Sequence, residues 1–334
     1  MKRVAILGGG AYGTALATLC AHNGYDVFLW CYEEAVARDI EKKHTNNMYL
    51  PGIKLHQNIH ASSSLETVLG CGTDWVFEAI PVKFMRAVLQ QAQLYFTYNQ
   101  TWIITSKGIE LDTHLLPSQI IDDIFGTRVK KAVVAGPSFA YDLAQREVTA
   151  VTVAAKEQPL ADKVQKLLAN SYFRPYVSLD IIGVQLGGAL KNVITLGIGM
   201  MEGAGCTDNA KAFLFTRGLH EMVQLAKSLG AHEKTLYGLS GVGDLVLTSM
   251  GTRSRNLEVG KRLGSGQTLN VILQETGYIP EGINTVQTLH QMIRKQDLDL
   301  PVFQGIYDAI FSKKDLNDML QQLMERPLEA ECQY

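Results

Sequence analysis

Residues 2–30 read KRVAILGGGAYGTALATLCAHNGYDVFLW, and this stretch decides the fold. The apolar run through Leu7 suits a buried strand, GGGAYG is a turn, and TALATLCAHNG reads as a helix stopped by Asn23-Gly24. Gly8, Gly10 and Gly13 fit G-x-G-x-x-G. The first permits a tight turn, the second lets backbone approach a pyrophosphate, and the third lets helix pack on strand. A lone match is weak, but this one sits between a strand and a helix. A second strand at 25–30 closes the unit at the expected length, which points to a dinucleotide. That strand ends LWCYEE with no aspartate in place for an adenosine ribose. Glu33 and Glu34 are the carboxylates in reach of a 2′-hydroxyl, and Arg38 is the nearest base for a 2′-phosphate. NAD(H) and NADP(H) both stay open.

Working outward, strands follow at 75–81, 101–108, 132–138, 149–155 and 173–177, joined by helical connections. Alternation of this kind implies a parallel, doubly wound sheet. Its strand ends should gather Pro81, Lys107 and Gly136-Pro137-Ser138 around one crevice. Lys107 suits an anion contact there, although a surface lysine at a strand end reads the same way. After residue 178 the chain turns to long helical runs, at 180–203, 207–229, 267–276, 281–296 and 301–325. The expectation is therefore a mostly parallel α/β domain over 1–178 and an all-helical domain over 179–334, with no flexible linker and a frayed EAECQY tail.

The 334 residues give ample length for two cores. With 46% hydrophobic and 19% charged residues and a formal charge of −2, nothing suggests nucleic acid or an anionic membrane. The chain opens as a strand rather than a cleavable leader, and no apolar run approaches a membrane span, so a cytoplasmic location is expected. Five cysteines without CxxC spacing, Cys20, Cys31, Cys71, Cys206 and Cys332, suggest reduced thiols and no metal site.

Within 181–203, IIGVQLGGALKNVITLGIGMMEG, Lys191 is the one cation. On a helix it shares a face with Val184, Gly187, Gly188 and Thr195. The glycines imply that backbone or a ligand approaches closely, and the expectation is room for substrate or nicotinamide. A lysine snorkelling from a core helix would give the same pattern. In GLSGVGDLVLT, 238–248, Asp244 reads either as a helix cap or as a partner for that amine. Ser254 is placed as an N-cap, with Arg255 and Asn256 in the first turn, a layout suited to a phosphate. A dinucleotide site, a phosphate site and a lysine with a carboxylate are equipment for hydride transfer to or from a phosphorylated alcohol. Burial and like charge would lower the lysine's pKa and Asp244 would raise it, a balance the sequence leaves open.

The chain resembles the bacterial-type NAD(P)-dependent glycerol-3-phosphate dehydrogenases essentially end to end. The matching segments are GGGAYGTALA at 8–17, NNMYLPG at 46–52, SKG at 106–108, AGPSFA at 135–140, IGVQLGGALKN at 182–192, GLSGVGDLVLT, SRN at 254–256, and Glu281-Gly282 with Asn284-Thr285. The resemblance implies a Rossmann-type first domain and reversible reduction of dihydroxyacetone phosphate to sn-glycerol 3-phosphate for phospholipid synthesis, usually with NADPH. It implies Lys191 as general acid/base beside Asp244, with Lys107, Gly136, Ser138, Ser254, Arg255 and Asn256 around the glycerol phosphate. Gly8, Gly10, Ala11, Tyr12, Gly13, Tyr32, Lys107, Ala140, Arg255, Ile279 and Glu281 would meet the cofactor. Gly9 replaces the family's usual alanine, which should loosen the turn slightly. A β-hydroxyacid-type dehydrogenase with the same layout and a non-catalytic dinucleotide-binding sensor are the competing readings. A homodimer is one assembly these residues leave open.

Overall fold

A computed structural model describes residues 2–312 and 314–328. The expected tail EAECQY, with Cys332, lies outside these residues. The opening stretch folds as β1 (Arg3–Leu7), α1 (Ala11–His22) and β2 (Asp26–Trp30), with the two strands parallel and Leu7 paired to Trp30. α2 (Glu34–Lys43) leads to a hairpin of β3 (Thr45–Asn46) and β4 (Leu50–Lys54), then to β5 (Ile59–Ser62) and α3 (Leu65–Leu69). These three strands escape the sequence pattern. β3 and β5 are short, and β4 carries Pro51 and Gly52.

Next come β6 (Trp75–Glu78), α4 (Val82–Ala92), β7 (Thr101–Ile104), α5 (Pro117–Phe125) and β8 (Lys130–Ala135). α6 (Ala140–Ala144), β9 (Thr149–Ala155), α7 (Gln158–Leu168) and β10 (Phe173–Ser178) complete the sheet region. The eight-stranded order is β10-β9-β8-β7-β6-β1-β2-β5, so the order reverses at β1. That reversal opens a crevice beyond the carboxyl ends of β1, β2 and β6. Apolar side chains pack on both faces of the sheet, as buried parallel strands require.

The sheet is mostly parallel, as expected, and the exception is β9, which runs antiparallel to β8. Between them lies only the five-residue α6, which rises about 7.5 Å, against about 20 Å for β8. The chain cannot climb back along the sheet, so it re-enters from the same end. α7, with 11 residues, does span the return, and β10 is parallel to β9.

Beyond Ser178 the described chain is helical: α8 (Ile181–Gly203), α9 (Asp208–Ser228), α10 (Glu233–Leu236), α11 (Asp244–Met250), α12 (Arg255–Gly264), α13 (Leu269–Thr276), α14 (Glu281–Gln296), α15 (Pro301–Phe311) and α16 (Leu316–Met324). The run expected at 301–325 is thus two helices, α15 ending in Ser312 and α16 capped by Asp315. Asp180 caps α8 by accepting from the Gly183 amide at 2.8 Å and ties it to the His232 amide at 2.9 Å. By length and composition alone α8 would pass for a membrane span, but Lys191 interrupts its apolar run and it is almost wholly buried as a core helix. Small residues let α12 lie against it backbone to backbone. A Cβ on Gly203 would come within 2.0 Å of the Lys261 carbonyl oxygen, and one on Gly264 within 1.9 Å of that of Met200.

Candidate active site

The glycine turn does three separate jobs. Gly8, at φ +124°, leaves no room for a side chain, since a Cβ would meet the Ala79 carbonyl oxygen at 2.5 Å. A Cβ on Gly13 would sit 1.9 Å from the Gly8 carbonyl oxygen. At Gly10 a Cβ would touch nothing within 4 Å. No protein atom demands glycine there, so the open space suits a ligand approaching the backbone. α1 starts at this point with no side-chain cap and no acidic residue in its first turn, leaving its amides and positive end for a pyrophosphate. The residues present therefore fit a dinucleotide.

Gly9 is matched to the residue after β2. A Cβ there would lie 2.3 Å from Cys31 Sγ, so the sulfur occupies the space the family's alanine would need. The loosening expected from Gly9 is offset by that sulfur. Asn46 braces the turn from the hairpin, its Nδ2 donating to the Gly9 carbonyl at 2.9 Å and to Thr14 Oγ1 at 2.8 Å. Tyr12 links the turn to the loop after β8, three strands away in the sheet, its hydroxyl 3.1 Å from Ser138 Oγ. Tyr32 is 79% exposed and stands edge-on to Trp30. Ala140 begins α6, at the same edge.

Across the crevice, Asp244 holds two amines. Its Oδ1 accepts from Lys191 Nζ at 2.7 Å and its Oδ2 from Lys107 Nζ at 2.5 Å. Gly243 takes the N-cap position of α11, so the Asp244 carboxylate is turned to the lysines instead of capping. Lys191 also donates to Thr248 Oγ1, and Lys107 to the Gly136 carbonyl at 3.2 Å. Burial lowers the Lys191 amine to about 8, with Asp244 opposing and Lys107 assisting. For Lys107, burial also works against the charge, but Asp244 and Tyr12 leave the amine above its ordinary range. Asp244 is buried too, yet Lys107 and Lys191 hold it below the usual carboxylate range. The three groups form an asymmetric ionic cluster in which burial lowers the Lys191 amine while the Lys107 amine is raised.

Gly187 and Gly188 do not leave room for substrate. A Cβ on Gly187 would come within 2.6 Å of the Ser240 carbonyl oxygen, and one on Gly188 within 3.3 Å of Lys107 Cγ. The first seats the π-turn at 239–243 that delivers Asp244, and the second seats the Lys107 stem. Protein fills the face that the sequence assigns to ligand.

Ser254 caps α12 as expected, accepting from the Leu257 amide at 3.2 Å, and Arg255 is exposed with its guanidinium over the Tyr278 ring. Asn256 donates to Asn192 Oδ1 at 3.0 Å and accepts from the Gly282 amide at 3.0 Å, tying α8, α12 and α14 together. Glu281, at the start of α14, is pushed up to about 7 by burial, with Arg255 and the Val82 amide opposing. Ile279, just before it, is 40% exposed. Sequence reading misses Thr248, Asn192 and Glu78. Thr248 was findable, four residues after Asp244 and on the same helix face. Glu78 is fully buried at the end of β6, accepts from the Ile80 amide at 2.7 Å and Ser106 Oγ at 2.8 Å, and is pushed up to about 7 by burial. Inside an apolar strand nothing marked it.

A glycine turn open to a ligand, facing a buried lysine–aspartate pair, defines a two-domain dinucleotide-dependent oxidoreductase. The family model "NAD-dependent glycerol-3-phosphate dehydrogenase N-terminus" matches residues 3–161, and its C-terminus counterpart matches 180–321. Glycerol-3-phosphate dehydrogenase [NAD(P)+] of Lactiplantibacillus plantarum is 39% identical with both chains fully covered. The Bacillus thuringiensis enzyme of that name is 40% identical, covering all of this chain and 98% of its own. The crystal structure of glycerol-3-phosphate dehydrogenase from Coxiella burnetii superposes with a TM-score of 0.92 at 31% identity, over 97% of this chain and 99% of that one. The chain belongs to the NAD-dependent glycerol-3-phosphate dehydrogenase family.

Proposed function

We propose that the chain reduces dihydroxyacetone phosphate to sn-glycerol 3-phosphate, reversibly, with Lys191 as the general acid/base. The observation that carries this role is the buried Lys191 amine, fixed by Asp244 and Thr248 and titrating near 8. When bound at the glycine turn, the reduced dinucleotide would supply the hydride for the carbonyl carbon, and its oxidised form would accept it in the reverse direction. Lys191 gives its proton to the carbonyl oxygen as that oxygen gains charge, and retrieves it in oxidation. Asp244 orients the amine and keeps it charged enough to act. Lys107, bound to the same carboxylate, adds positive charge beside the developing oxyanion.

At the other end of the crevice, the first-turn amides of α12, the Ser254 hydroxyl, Arg255 and Asn256 bind the phosphate, with Gly136 and Ser138 closing the glycerol side. Gly8, Gly10, Ala11, Tyr12 and Gly13 cradle the dinucleotide, and Tyr32, Lys107, Ala140, Arg255, Ile279 and Glu281 border it. The parts divide as residues 1–178 for the dinucleotide and 179–334 for substrate. The cytoplasm is the compartment in keeping with the free thiols of Cys20, Cys31, Cys71 and Cys206, and phospholipid synthesis is the use of the product. A homodimer is compatible with this arrangement.

A spectrophotometric substrate panel tests the proposal. Dihydroxyacetone phosphate should oxidise NADH or NADPH far faster than its unphosphorylated form or any β-hydroxy or keto acid. Equal turnover of the acids would overturn it.

A further inference from the structure

We infer that the adenosine end of the crevice selects NADH over NADPH, with Glu33 reading the ribose 2′-hydroxyl and Tyr49 positioning Glu33. The selection rests on the reaction proposed above. Leu7 pairs with Trp30, and Cys31 Sγ lies against Gly9, so the residues that follow β2 stand at the rim of the glycine turn. This rim is where a doubly wound sheet meets an adenosine ribose. Glu33 is half-buried there, and its Oε1 accepts from the Tyr49 hydroxyl at 2.6 Å.

The tyrosine is itself held. Its amide donates to Asn46 Oδ1 at 3.2 Å, and Asn46 is bound to the Gly9 carbonyl and Thr14. A continuous set of bonds thus fixes the Glu33 carboxylate relative to the turn that would hold the pyrophosphate. The bond to Glu33 pushes the Tyr49 hydroxyl up to about 12, so it stays a donor at every working pH. With Oε1 engaged, Oε2 has no partner among the described residues and can accept from a 2′-hydroxyl.

A 2′-phosphate at that point would bring a second anion against a carboxylate that Tyr49 holds in place. The residues that follow β2 do not offset it. Tyr32 is uncharged, Glu34 adds another carboxylate, and Arg38 lies more than a helical turn further along α2. The sequence could not decide this, because Glu33 falls beyond the usual strand-end position and only Tyr49, 16 residues away, commits it.

The test compares NADH and NADPH in two assays on the full-length enzyme: kcat/KM for dihydroxyacetone phosphate reduction, and coenzyme dissociation constants from fluorescence titration without substrate. The expected wild-type preference is about tenfold or more for NADH in both, the size of a modest like-charge penalty. E33Q should bring the two coenzymes within about threefold, and E33R should reverse the order. Y49F should raise the KM for NADH more than it lowers kcat, and narrow the preference. A wild type that favours NADPH or treats both alike, or an E33Q ratio equal to wild type, overturns the selection. Binding that favours NADH without dihydroxyacetone phosphate turnover would sink the proposed reaction and leave the selection standing. Turnover with equal binding of both coenzymes would do the reverse.

Discussion

Lys191 can act near neutrality because its neighbours pull in opposite directions. Burial and Lys107 loosen its proton while Asp244 retains it, which leaves the amine near 8. Reduction needs the protonated amine, so its kcat/KM should fall as pH rises through about 8, and oxidation should gain over the same interval. In D244N the negative charge that raises the amine is gone, and both limbs should move to lower pH. Limbs that stay in place would separate Asp244 from that titration. The lysine was legible as the lone cation of an apolar helix, whereas its bond to Asp244 spans 53 residues of sequence and was legible only as one of two readings, beside a helix cap. A second residue-scale expectation concerns Gly9. Alanine there drives a methyl into Cys31 Sγ, an overpacking worth about 1–3 kcal/mol, so G9A should weaken coenzyme binding and lower Tm. The double variant G9A/C31A should recover both. Failure to recover would mean the sulfur is not what Gly9 accommodates.

Among the elements, α8 shows where sequence reading succeeds and stops. Its helical length follows from composition, but the glycine face that the sequence assigns to a ligand is filled by the π-turn and by Lys107, set far away in sequence. G187A should push the 239–243 turn and with it Asp244, lowering kcat as well as Tm; an intact kcat would show that the turn yields without moving the carboxylate. α15 offers a contrasting case. Its first amides, Val302 and Phe303, donate to buried Glu221 at 2.7 and 2.9 Å, a cap supplied by another helix. E221A should cost roughly 2 kcal/mol by leaving those amides unmet, without changing kcat of the folded enzyme. Thermal melts and turnover on the same preparation check this. The reversed β9 was likewise invisible until the shortness of α6 was set against the length of β8.

For the molecule as a whole, buried carboxyls give a pH signature. Burial pushes Glu78 and Glu281 up to about 7 and Glu221 up to about 8, from an ordinary 4.5. Across that window the folded chain holds protons that the unfolded chain has released, so stability falls as pH rises. Lys191 contributes the opposite sign at higher pH, since its depressed amine costs stability below about 8 and the cost fades toward 10.5. The apoenzyme should therefore melt higher near pH 6 than near pH 8, and E221Q should flatten that slope; a Tm that climbs over this range would contradict the assignment. The two-part architecture was legible because strand and helix periodicities change at one place. The crevice between the parts depended on pairings such as Lys107 with Asp244, 137 residues apart, that no local pattern announces. The central claim is that this architecture delivers one proton from Lys191 to dihydroxyacetone phosphate. Its most direct test is turnover of K191A beside coenzyme titration of the same protein. The expected result is a kcat lower by about 10²–10⁴ with coenzyme binding retained, the usual scale for loss of a general acid. Near-normal turnover by K191A would contradict the claim.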